Sequence, residues 1–96
     1  MAKFTVLCWQ EIPSVVEARD GGDKHKVELD ERFQKLIDMA AMRRQLAGTD
    51  QYLMEWRKEK PEEREGSAHD VAEAVAQEIS DRFDEIRTAA LAVKAS

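Results

Sequence analysis

The run Asp20-Gly21-Gly22-Asp23 constrains this chain more than any other feature. Two adjacent glycines, free of the steric bar to positive φ, lie between aspartates and alternating apolar and charged residues, a pattern that predicts a two-residue hairpin loop. With Gly21 and Gly22 as the loop, Asp20 faces Asp23, Arg19 faces Lys24, Ala18 faces His25, Glu17 faces Lys26 and Val16 faces Val27. Side chains alternate across a sheet. One face of the hairpin therefore carries Val16, Ala18, His25 and Val27, and the other carries Val15, Glu17, Arg19, Lys24, Lys26 and Glu28, a set that belongs in water. A one-residue slip would expose the valines.

The preceding segment, about residues 3–11, reads as a strand from Phe4, Val6, Leu7 and Trp9, with Pro13 ending it or holding it at an edge. Phe4, Val6 and Cys8 share one face, and Thr5, Leu7 and Trp9 the other. Both faces are apolar, so whichever enters the core, the other presents apolar surface that something should cover.

Beyond Leu29 the apolar period becomes helical. Asp30 is the expected N-cap of a helix over about 30–47, whose stripe of Phe33, Leu36, Ile37 and Ala40 is wide enough for two neighbours. Gly48 supplies a stop, and Thr49 caps a short helix over about 50–58 that stacks Tyr52 and Trp56 on one side. Residues 57–66 are nearly all charged around Pro61 and predict a solvated connector. Ser67 then caps a long helix over about 68–91, with Val71, Val75, Ile79, Phe83 and Ile86 in one arc. Strands of about 3–11, 14–20 and 24–29 followed by helices predict one α+β domain over residues 1–96, a three-stranded antiparallel sheet with three helices packed on one face.

Composition narrows function. The chain has 96 residues and 13 of its apolar residues are alanine, so little bulky side-chain material is left to wall a cavity for a large cofactor. A net charge of −5 disfavours nucleic acid and anionic membrane as partners. The apolar stretch between Lys3 and Gln10 is too short for a signal-peptide core or a membrane span, so a cytoplasmic location is the default.

Catalytic chemistry has few candidates. Cys8 is the single thiol and sits mid-strand among apolar neighbours, where a thiol is inert. His25, on the hairpin's apolar face, could meet Cys8 on an adjacent strand, but reads first as a satisfied core or edge histidine, and His69 reads as a surface residue. The chain has no Cys-x-x-Cys, His-x-x-x-His or Glu-x-x-His; Asp20-x-x-Asp23-x-His25 is better explained by the turn than by a metal, and no catalytic, cofactor or metal residues are expected. Trp9, with Leu7 beside it, and the pair Tyr52 and Trp56 read first as core or core edge and second as an interaction surface. Arg32 and Arg43, in a helical stripe with Leu36 and Met39, could clamp an anion.

Trp9-Gln10-Glu11-Ile12-Pro13 with Val16 and the Arg19-Asp20-Gly21 turn, Arg32-Phe33-Gln34 with Ile37-Asp38 and Ala41-Met42, and Gly48-Thr49-Asp50 with Tyr52-Leu53 and Trp56 together resemble the small bacterial virulence factor domain. The resemblance covers about residues 4–90. It implies a family named from a genetic phenotype, without established catalytic residues. Its domain also forms the C-terminal part of the longer conserved virulence factor C, behind an iron–sulfur-scaffold-like segment and helical repeats. That company implies an accessory or adaptor role in the bacterial cytoplasm. Gln45 stands where the family commonly has glycine, so the first helix is expected to run slightly longer here. The resulting expectation is a protein-interaction module that recruits a protein partner or a second copy through Trp9, Leu7, Tyr52 and Trp56. The alternative is a small-molecule site or enzyme accessory subunit using Arg32, Arg43 and Asp38 around an anion.

Overall fold

The computed structural model describes residues 1–92. Strands β1 (Ala2–Trp9), β2 (Ile12–Asp20) and β3 (Asp23–Glu28) are followed by helices α1 (Glu31–Arg43) and α2 (Asp50–Met54). Strands β4 (Trp56–Lys58) and β5 (Glu62–Arg64) and helices α3 (Ala68–Asp81) and α4 (Phe83–Leu91) complete the chain. The fold is α+β, with a five-stranded antiparallel sheet ordered β3-β2-β1-β4 and β5 also paired with β1.

The hairpin register predicted from the glycine pair is the one observed, from Asp20 opposite Asp23 to Val16 opposite Val27. Gly21 takes φ +61° while Gly22 stays out of that region, as in a type II′ turn. The three predicted caps also hold. The backbone N–H of Arg32 donates to Asp30 Oδ1, that of Tyr52 to Thr49 Oγ1 and that of Asp70 to Ser67 Oγ.

Other expectations need correction. The first strand does not reach residue 11, because Gln10 and Glu11 form a tight turn and β2 starts at Ile12. Pro13 neither ends β1 nor marks an edge. It lies inside β2 opposite Cys8, where the register shifts and Ser14 is left over, a bulge that accommodates a residue lacking an N–H. The first helix is shorter than expected, not longer. Its last residue is Arg43, and Gln45 adopts φ +59°, the left-handed conformation for which glycine is better suited.

The largest correction concerns residues 55–66. The second helix stops at Met54, and the chain from Trp56 to Arg64 runs antiparallel along β1 in two short strands. Glu59 and its neighbours form a kink between them, with the Glu59 N–H donating to the Val6 carbonyl at 2.9 Å and its carbonyl accepting from Thr5 Oγ1 at 2.7 Å. β1 is thus an inner strand. The charge density that suggested a connector is typical of an edge strand protected against further pairing.

The apolar interior falls into two clusters. Under α3, Ala2, Phe4, Val16 and Ala18 of the sheet meet Ala68, Val71, Ala72, Val75 and Ala76. At the other end Trp9 and Ile12 pack with Leu36, Ile37, Ala40 and Ala41 of α1 and Ala90 of α4, with Tyr52, Trp56, Phe83 and Ile86 closing around them. The expected third helix is therefore two helices. The break at Arg82 lets α3 serve the first cluster and α4 the second. No helix among the described residues is long and apolar enough to cross a membrane.

Candidate functional site

Consecutive residues of a strand point to opposite faces, yet Cys8 and Trp9 are both buried, so the sheet is covered on both sides at this end. Trp9 is wholly enclosed, its Nε1–H donating to the Tyr52 carbonyl at 2.9 Å and its ring 5.4 Å from that of Tyr52. It offers no surface to a partner, and the expectation that it contacts one is corrected. Tyr52 and Trp56 are half-buried, edge to face at 6.4 Å, and pack against the same cluster. The exposed residues on this side are Leu53 and Met54, at 68% and 74%. The first sequence reading of these aromatics, as core or core edge, is the one the packing supports. The apolar side chains that face water are the intervening Leu53 and Met54, because α2 turns Tyr52 inward and Trp56 is carried by β4 beside Trp9.

Arg44 was also missed. Its guanidinium forks onto Glu11 with N···O distances of 2.9 and 2.7 Å, donates to Gln10 and to the Ala90 carbonyl, and lies 5.9 Å from the Trp9 ring. It ties the β1–β2 turn to the ends of α1 and α4. The hydrogen bonds from Arg44 hold the Glu11 carboxyl below its ordinary value of 4.5, against a smaller opposing effect of burial.

The two arginines of the anion alternative do not converge. Arg32, in the first turn of α1, pairs with Asp30 at 3.1 Å and lies over the Phe83 ring at 4.4 Å. Arg43, in the last turn, donates to the Leu91 carbonyl at 3.4 Å. Eleven residues of helix place them about 16 Å apart along its axis, too far for one small anion. Asp38 is bonded to Gln34. A joint site of these residues is overturned by that separation.

Cys8 and His25 do not meet either, because β2 lies between their strands and His25 pairs with Ala18 while Cys8 pairs with Pro13. Burial, reinforced by Glu59, pushes the Cys8 thiol up to about 11, so it carries little thiolate at neutral pH. His25 instead meets His69, with ring centroids 4.6 Å apart.

Leu7 is where the expected surface survives. It is half-buried in the sheet face opposite α3, paired with Val15 of β2 on one side and Lys58 of β4 on the other, with Glu28 of β3 beyond Val15 and Lys26 one row along. Two adjoining depressions occupy this face. One of about 480 Å3 is lined by Lys3, Thr5, Glu17, Arg19, Lys58 and Lys60 with their neighbours, and one of about 100 Å3 by Thr5, Leu7, Val15, Glu17, Lys26 and Lys58. No helix contributes to either lining. Glu17 is the anchor of the polar part, its side chain only 14% exposed, with Arg19, Lys24 and Lys58 nitrogens at 3.8–4.0 Å. Those cations are well over half exposed, so each pair contributes little to stability. Together the two linings carry five cations against two carboxylates, in a chain whose net charge is −5. The arrangement is an apolar strip with a basic rim.

No significant match was found among curated proteins or solved structures. A family model described as Virulence factor matches residues 7–92, from near the end of β1 to the end of α4, and with nearly the whole chain covered the protein belongs to the Virulence factor family.

Proposed function

We propose that this chain is a non-catalytic protein-interaction module of the bacterial cytoplasm, acting as an accessory component, and that a partner docks on the open sheet face around Leu7 and Val15. The observation that carries this reading is the coincidence, in two depressions to whose lining no helix contributes, of a half-buried apolar strip with a net basic rim in an acidic protein. Charge complementarity selects the occupant, an acidic segment of a partner protein bearing an apolar side chain. Its carboxylates would reach Lys3, Arg19, Lys26, Lys58 and Lys60, while the apolar group removes the remaining surface of Leu7 and Val15 from water. Exposed ion pairs add more to association rate and selectivity than to affinity, so binding weakens with added salt.

A short fluorescent peptide alternating glutamate and leucine is the probe. Its anisotropy rises with the wild-type protein at low salt and is lost with Leu7→Glu and with the exposed Lys58→Glu, each shown by its circular dichroism to be folded, while Leu53→Glu on α2 binds like wild type. Failure of the wild type to bind, equal binding by Lys58→Glu, or loss of binding through Leu53→Glu overturns this surface. Sedimentation of the protein alone at low salt separates the other occupant, since a dimer abolished by Lys58→Glu would assign the face to a second copy.

A further inference from the structure

We propose that His25, His69 and Glu73 form a binding site for a divalent transition metal ion, with zinc the expected occupant. The chain has only two histidines, one on β3 and one on α3, and the fold brings both to one carboxylate. His25 Nε2 lies 3.2 Å from Glu73 Oε2, and one ligand atom from each of the three residues lies within 4.8 Å of the others. In a tetrahedral zinc site with bonds of about 2.0–2.1 Å, neighbouring ligand atoms are roughly 3.3 Å apart. One edge of that tetrahedron already has its length. The remaining closure is at most about 1.5 Å, within reach of rotations of the exposed His69 and Glu73 side chains about the half-buried His25.

The backbone supports are regular. His69 and Glu73 are four residues apart on α3, hence on one side of the helix one turn apart, and His25 is held by the glycine-turn register opposite Ala18 on the sheet face that α3 covers. Two imidazoles and a carboxylate are a donor set suited to zinc, with the fourth position open to water. Asp70 Oδ1 lies 3.4 Å from His69 Nδ1. A proton held there leaves Nε2 with the free lone pair, the orienting role that a carboxylate commonly plays behind a metal-bound histidine. The N-terminal end of α3 opposes a cation, and the carboxylates of Asp70 and Glu73 offset that field. The site lies across the sheet from the Leu7 and Val15 strip, so its occupancy and the docking reading stand or fall separately.

The sequence hides this cluster because its spacing spans 44 residues of chain between His25 and His69, and a lone His-x-x-x-Glu on a helix is not a recognised metal pattern without its third ligand. Calorimetric titration of tag-free protein with Zn2+, and the visible absorption of bound Co2+, test it. Wild type binds one Zn2+ and gives the intense bands of tetrahedral Co2+, and His25→Gln and His69→Gln each weaken Zn2+ by about tenfold or more. Zn2+ also raises the melting temperature of wild type and not of His69→Gln, whose replaced side chain is exposed and not needed for folding. Binding no tighter than about 1 mM, or a loss below about tenfold in either variant, overturns the site.

Discussion

The two apolar clusters share one sheet but are built in opposite ways. Under α3 the contacts are alanines and valines with Phe4, small groups that let a helix lie close to regular strands. Around Trp9 the residues are large, and several irregularities gather towards that end: the bulge after Leu7, Gln10 at φ +53°, Gln45 at φ +59° and the break at Arg82. A bulky indole buried on the face opposite Phe4 and Val6 cannot be enclosed by straight elements. The backbone bends around it, and Arg44 fastens the bend by holding the β1–β2 turn to α1 and α4.

The sharpest way to break this contrast is Trp9→Ala. It empties the larger cluster and removes the donor to the Tyr52 carbonyl, and the expected loss is about 3–5 kcal/mol in urea unfolding. A loss under about 2 kcal/mol would mean that the bent half does not depend on the indole. In the other half the sensitive change is addition. Ala72→Leu, at a position fully buried between α3 and the sheet, should cost about 1–3 kcal/mol by overpacking, and a neutral outcome would show the small-residue cluster to be loose.

Arg44→Ala tests the fastening, with an expected loss of about 1–2 kcal/mol at neutral pH, reduced from a fully buried pair because both side chains are partly exposed. Because the folded-state pKa of Glu11 is depressed, its contribution is complete above the unfolded value near 4.5 and disappears as pH falls through the folded one. The stability gap between wild type and Arg44→Ala should therefore narrow on acidification below about pH 4.5, and a constant gap would remove Glu11 from the account. The smallest effect is a gain. Gln45→Gly relieves the left-handed backbone and, after the entropy cost of glycine, should stabilise by about 0.5 kcal/mol, read as a small rise in melting temperature.

What was legible in the sequence follows the same division. The hairpin register was read correctly because a two-residue turn fixes pairing locally and alternation then assigns every side chain. Asp30, Thr49 and Ser67 were legible as caps because each bond spans two or three residues. The bent half was not. Pro13 looked like a terminator when it marks a bulge, and the arc from Val71 to Ile86 looked like one helix when it serves two clusters. In the candidate docking face, the outward set of Val15, Glu17, Arg19 and Lys26 on the hairpin was legible, whereas the face of the first strand that carries Leu7 was left open and Lys58 joins only through the pairing of β4 with β1.

By itself, then, the amino-acid order determined the α+β class, the glycine-turn register, the starts of the first three helices and the two-sided apolar character of the first strand, all of which are decided by interactions between near neighbours. Tertiary structure alone decided that Trp9 is core while Leu7 stays near the surface, that a charged stretch completes the sheet, and that His25 joins His69 and Glu73. The physical reason is range. Residues 56–64 have no intrinsic strand preference to display, and they become strands because β1 presents unpaired backbone groups some fifty residues earlier in the chain, an energy that no local pattern records.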